Sequence, residues 1–189
     1  MKIFIIHGSY GNPQENWFPW LKQELEKLGH AVFVPEFPTP KDQNLENWMG
    51  EFQEGMHYHL LDEESVFVGH SLGPAFILSV LEELEIPKPI RACFFVAGFI
   101  GKLNNPEFDE INKTFAEKEF NWERIKKNCE RFVMYHSNND PYVPIEKAKE
   151  LSEKLNCKLK VIKGAGHFNE KAGYTEFKLL LEDIKKELK

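Results

Sequence analysis

Cysteine is scarce and unpatterned in this 189-residue chain: Cys93, Cys129 and Cys157 are odd in number, far apart and without a CxxC pair. That speaks against a disulfide-framed fold and points to free structural thiols in a reducing, cytoplasmic compartment. Long apolar runs are missing as well. A bilayer crossing needs about 20 such residues, and the longest run here, Ala92 to Ile100, is about half that. The N-terminus has one lysine and a very short apolar stretch before His7-Gly8, so it reads as a first strand and not as a signal peptide. Basic charge is not in excess: 24 Lys+Arg against 30 Asp+Glu give a net charge of −6. Nucleic acid and anionic membranes are therefore not expected partners. No Gly-rich phosphate loop follows the first strand, because His7-Gly8-Ser9-Tyr10-Gly11-Asn12 fits neither the dinucleotide fingerprint nor the P-loop. His57-x-His59 has the look of a metal pair, but i, i+2 residues face opposite sides of a helix, and no metal site is expected.

What is present is an alternation. Short apolar runs at 2–6, 31–34, 65–68, 90–97, 131–136 and 158–162 are separated by helical patterns at 13–28, 44–60, 72–84, 145–155 and 173–188. Asn12, Pro13 and Glu15 suggest a capped start for the first helix, whose apolar face is Trp17, Leu21, Leu25 and Leu28. The second carries Leu45, Trp48, Met49, Phe52 and Met56; the last carries Phe177, Leu180, Leu181, Ile184 and Leu188. Strand and helix in turn imply an α/β domain spanning 1–189, a six-stranded parallel sheet with helices on both faces. The economical winding places the second strand outside the first and runs the others out the opposite way, with any site at the carboxyl ends of the strands. Residues 101–129 break the rhythm. They are polar, contain Pro106 and scatter Phe108, Phe115, Phe120 and Trp122. This insertion of one or two short helices either caps a pocket or packs its aromatics on the body; there is no large lid domain.

Three strand ends carry chemistry. Gly69-His70-Ser71-Leu72-Gly73 fits G-x-S-x-G, a pattern that arises by chance in about one chain in twenty of this length. The preceding Val66-Phe67-Val68 and the following helical pattern supply the strand–turn–helix context that the motif needs. A serine on so sharp a turn requires small neighbours on both sides, and it is presented at a helix N-terminus that favours negative charge. Without the glycines, Ser71 would read as an ordinary helix N-cap. A serine hydroxyl needs a base; His167, in the loop Gly164-Ala165-Gly166-His167, is the candidate, and Asp140, in Ser137-Asn138-Asn139-Asp140-Pro141, is the candidate orienter. The order Ser71, Asp140, His167 is that of the α/β hydrolases. The oxyanion donors expected are the backbone N–H groups of Leu72 and Ser9. Of the aromatics near strand ends (Trp17, Trp20, Phe99, Tyr142 and Phe168), Trp17 and Phe168 are the expected pocket lining. His7 and His70 read as structural.

The chain resembles the α/β-hydrolase superfamily, and within it the small serine hydrolases typified by retinoblastoma-binding protein nine and its bacterial relatives. The matching pieces are His7-Gly8, Trp17 and Trp20 with the following Leu-Lys-x-Glu-Leu, Gly69-His70-Ser71, Trp122-Glu123-x-Ile125-Lys126-x-Asn128-Cys129, Asp140-Pro141 and Gly166-His167-Phe168. The resemblance implies cofactor-free, serine-dependent hydrolysis of carboxylic esters or amides, and the lack of a large lid domain predicts small acyl groups; ester against amide stays open. One piece departs from it. Leu60-Leu61-Asp62-Glu63-Glu64 has Asp62 where the family's Leu-x-Cys-x-Glu partner motif has cysteine, so retinoblastoma-type docking is not expected. The competing reading is a catalytically silent, partner-binding member of the same fold.

Overall fold

Strands covered on both faces are apolar at consecutive positions, and the runs that meet this condition pair in one parallel sheet. The computed structural model describes every residue except Met56, Ile86, Leu188 and Lys189. The strands are β1 (Lys2–Ile6), β2 (Ala31–Phe33), β3 (Ser65–His70), β4 (Ala92–Val96), β5 (Phe132–Ser137) and β6 (Lys158–Ile162), in the order β2-β1-β3-β4-β5-β6. Every pairing is parallel; β3, at the middle, registers Phe4 against Phe67 on one side and Phe67 against Cys93 on the other. This is the winding expected from the sequence.

The helices are α1 (Phe18–Lys27), α2 (Leu45–Glu54), α3 (Gly73–Glu83), α4 (Pro106–Ala116), α5 (Trp122–Lys127), α6 (Ile145–Leu155) and α7 (Lys178–Glu187), with single 3₁₀ turns at Tyr58–Leu60 and Glu170–Ala172. Alternating side chains of each strand go to opposite faces. Ile3, Ile5, Val66, Val68, Phe94 and Val96 pack beneath α1 and α7. Phe4, Ile6, Phe67, Phe95 and Met134 pack beneath α2, α3, α4 and α6. Each fully buried large side chain contributes about 1.5–3 kcal/mol, so the two-sided core is the main source of stability. Among the described residues no helix is long and apolar enough to cross a membrane.

Several boundaries differ from the sequence reading. The first helix starts at Phe18, not Pro13: Asn12 accepts the Gln14 N–H in a local turn, and Asn16 has φ 54°, which no helix continues through. The second ends at Glu54, and a separate 3₁₀ turn follows; Met56 and Leu188, assigned to helix faces, lie outside the described residues. The stretch 101–129 holds two helices. Asn105 and Asn121 cap them, each side chain accepting from backbone N–H groups of the first turn. Just past α5, Asn128 Nδ2 donates to the Leu81 and Leu84 carbonyls (2.8 and 2.9 Å) and so closes the open end of α3. The cysteines, distant in sequence, are partly gathered: Cys129 Sγ lies 3.6 Å from Cys93 Sγ, both as free thiols.

Candidate active site

At the carboxyl end of β3 the chain turns into α3 through Ser71, whose φ is 58°. Only a surrounding structure that fixes the turn holds a serine there, at a cost of about 1–3 kcal/mol. The fixing contacts are visible. Ser71 N–H donates to the Val96 carbonyl (2.9 Å), which extends the sheet through the turn. Gly69 and Gly73 are needed because backbone crowds both. A Cβ at Gly73 would stand 2.5 Å from the Ile6 carbonyl oxygen, and one at Gly69 2.8 Å from Pro74 N. Gly8, after β1, approaches so closely that its Cβ would meet Ser71 Cβ at 2.6 Å. The Gly8-Ser9 turn therefore lies directly against the serine. The backbone N–H groups of Ser9 and Leu72 have no hydrogen-bond partner among the described residues.

The loops after β5 and β6 meet beside this turn. His167 Nδ1–H donates to Asp140 Oδ2 (2.8 Å), and Asp140 Oδ1 accepts the N–H groups of Tyr142 (2.9 Å) and Val143 (3.0 Å). Burial works to raise the Asp140 pKa, but the His167 bond and charge and the two N–H donors outweigh it, so the carboxyl sits below its ordinary value. An ionised carboxylate can only accept, so in the neutral imidazole the proton belongs on Nδ1 and Nε2 carries the lone pair. Two side-chain amides clamp the loops together: Asn138 Oδ1 accepts from Gly164 N and Asn139 Oδ1 from Gly166 N, both at 2.9 Å. His136 Nε2–H holds the Val143 carbonyl (2.9 Å) from beneath.

Ser71, His167, Gly8 and Ser9 line one cavity of about 510 Å³. No hydrogen bond joins Ser71 Oγ to His167 Nε2 in this arrangement, a looseness common before substrate closes a site. The apolar walls are Phe99, Leu103, Phe108, Tyr142 and Val143; Glu15, Glu107, Glu170 and Lys171 ring the mouth. Trp17 and Phe168 do not line it, contrary to expectation. Both are fully buried under α1 and α7, where Trp17 Nε1–H donates to the Phe168 carbonyl (3.0 Å) and Phe168 stacks on Phe177. Phe168 has φ 52°, which turns its ring into the core just as His167 turns toward the cavity.

The serine hydrolase family model matches residues 3–186. The chain belongs to the serine hydrolase family. This hydrolase is 29% identical over 181 residues to YdeN of Bacillus subtilis (strain 168), covering 96% of this chain and 93% of that one. It is 25% identical over 187 residues to the serine hydrolase RBBP9 of Rattus norvegicus, covering 97% and 94%. The crystal structure of the B. subtilis ydeN product superposes with a TM-score of 0.91 at 27% identity, over 99% of this chain and 98% of that one. Est1E of Butyrivibrio proteoclasticus, seen with ferulic acid bound, shares the fold alone: TM-score 0.72 at 19% identity, over 98% of this chain and 86% of the other. The enzyme class and the α/β-hydrolase fold inferred from the motifs are thus both borne out.

The remaining histidines of the hydrolase near the site have structural partners. His7 is buried; Nδ1–H donates to the Gly8 carbonyl (2.8 Å) and Nε2 accepts from Phe37 N (3.0 Å). His70 Nε2–H donates to the His167 carbonyl (2.8 Å), and burial pushes its pKa down to about 3, so it is a neutral brace. The sequence reading missed Asn112, Gln43, Leu103 and Phe108. Asn112 left a trace: Phe108, Asn112 and Phe115 share one face of α4, and a polar residue on an apolar stripe is a signal. Gln43 left none.

Proposed function

We propose that the hydrolase cleaves small carboxylic esters or amides by two-step acyl transfer. The observation that carries the reading is the Asp140–His167 hydrogen bond of 2.8 Å, whose free imidazole face and the strained Ser71 line the same cavity. Ser71 Oγ attacks the carbonyl carbon as His167 Nε2 takes its proton. Asp140 fixes the imidazole tautomer and stabilises the cation. The N–H groups of Leu72 and Ser9, the latter held against Ser71 by the Gly8 approach, receive the oxyanion at the start of α3, where the helix dipole adds to the donors. His167 then protonates the leaving group, which departs, and activates water against the acyl-enzyme. Amide and ester share these steps.

The cavity supports small acyl groups. Its apolar walls are Phe99, Leu103, Phe108, Tyr142 and Val143, and the 101–129 stretch covers it through Leu103 and, from α4, Glu107, Phe108 and Asn112, so we assign residues 101–129 the role of a cap. Structural neighbours named as esterases, such as the methylesterase MES16 of Arabidopsis, fit an ester substrate. The test is a screen of short p-nitrophenyl esters and aminoacyl amides with the wild type, Ser71→Ala and His167→Ala. Both variants are expected to stay folded and lose activity by about 10⁴-fold or more. Substantial turnover by folded Ser71→Ala would overturn the proposal.

A further inference from the structure

Asn112, on the cap helix, is a polar residue only 3% exposed, and it lines the cavity. Its carboxamide orientation is fixed. Oδ1 accepts from Ser9 Oγ–H (2.5 Å) and from Gln43 Nε2–H (2.9 Å). Gln43 is held in turn: its Nε2 also reaches the Ile111 carbonyl (3.0 Å), and its Oε1 accepts from Thr39 Oγ1 (2.5 Å). Thr39 Oγ1 also accepts the Tyr10 N–H (2.7 Å). With the oxygen consumed on one side, the Asn112 amide nitrogen is turned to the other. Nδ2 has no hydrogen-bond partner among the described residues and is not fully enclosed, and Asn112 lines the cavity. The position is close to the reacting centre, because Ser9 adjoins Gly8 and Gly8 touches Ser71. Protein interiors seldom retain an unpaired amide donor unless a ligand or water completes it. A donor whose carboxamide is held by Ser9 and Gln43 beside apolar walls is the arrangement that rejects a substrate lacking the matching acceptor.

We propose that Asn112 is a specificity-determining residue: its Nδ2 donates a hydrogen bond to an oxygen carried on the acyl part of the substrate, near the carbonyl that Ser71 attacks. The favoured substrates are then acyl groups bearing an ether, hydroxyl or keto oxygen within a few bonds of the scissile carbonyl. The inference rests on the acyl-transfer reading above.

The test compares kcat/KM for p-nitrophenyl methoxyacetate and p-nitrophenyl butyrate, which differ by one ether oxygen in place of a methylene. Dividing each variant's ratio by that of the wild type cancels the esters' intrinsic reactivity. Asn112→Asp keeps both acceptor contacts that anchor the side chain and removes the donor; Asn112→Leu removes both. In each, the methoxyacetate-to-butyrate ratio is expected to fall about tenfold against the wild type. An unchanged ratio, whether both esters slow equally or neither does, would overturn the proposal and leave Asn112 as a prop for Ser9. Should the leucine variant fail to fold by circular dichroism, the aspartate variant decides alone. If Ser71→Ala cleaves both esters as the wild type does, the acyl-transfer reading fails, and that outcome is distinguishable from an unchanged ratio with Ser71-dependent turnover.

Discussion

Two aspartates keep their side chains almost entirely out of solvent in this molecule but have different company. Asp140, at the carboxyl end of β5, has two backbone N–H groups on one oxygen and the His167 imidazole on the other. Asp183, on α7, has the Tyr135 hydroxyl (2.6 Å) and Lys160 on one oxygen and Lys186 (2.7 Å) on the other. For both, burial favours the neutral acid and the hydrogen-bonded partners overcome it; Asp183 is pulled down to about 2. The difference is in the partners' protons. Those around Asp183 belong to two lysine side chains and to a phenol whose own pKa is raised by burial and by Asp183. The partner of Asp140 is an imidazole with a second nitrogen turned to a cavity that also holds Ser71. One carboxylate is a structural knot; in the proposed mechanism the other steers a proton. A buried charge with a perturbed pKa does not mark a site unless its partner has a free valence facing a substrate-sized space.

The comparison breaks most sharply at Asp140→Asn. An amide in that place favours the wrong imidazole tautomer, so kcat should fall by about 10⁴ while the thermal midpoint moves little. Steady-state kinetics beside a melting curve checks this, and a loss under tenfold would make Asp140 another structural carboxylate. The mirror experiment, Asp183→Asn, should leave kcat within a factor of about three and remove about 2 kcal/mol of stability, which lowers the midpoint by roughly 4–8 °C. A change in kcat as large as that for Asp140→Asn would erase the distinction. The smallest effect is its acid dependence. Because the folded Asp183 pKa lies below the unfolded value, its contribution is fully present above about pH 4 and lost as pH falls through about 2. Chemical denaturation of the wild type and Asp183→Asn at a series of pH values should show the gap constant at neutral pH and closing toward pH 2.

The sheet was legible because continuous apolar runs and right-handed crossovers leave few windings. The convergence of the loops that carry Ser71, His167 and Asp140 was legible because the topology delivers residues just after β3, β5 and β6 to one rim, and a hydrogen bond then joins the last two. Boundaries and walls were harder. The start of α1 depends on the positive φ of Asn16, which no periodicity reveals. Trp17 and Phe168 are near the site in sequence, but the positive φ of Phe168 turns its ring into the core, and Trp17, at the start of α1, is buried beside it and donates to its carbonyl. The walls come instead from the segments after β4 and β5 (Phe99, Leu103, Tyr142 and Val143) and from Phe108 on α4, whose placement over the rim is a long-range packing outcome; Phe108 and Leu103 have nothing local that distinguishes them from core residues.

The central claim is that Ser71 is a nucleophile activated by the His167–Asp140 pair. Its most direct measurement is incubation of the folded protein with a fluorophosphonate, followed by peptide mass mapping with the wild type, Ser71→Ala and His167→Ala. The account predicts a single covalent adduct on Ser71 in the wild type and none in either variant. An unlabelled wild type, or an adduct on another residue that persists in Ser71→Ala, would contradict it.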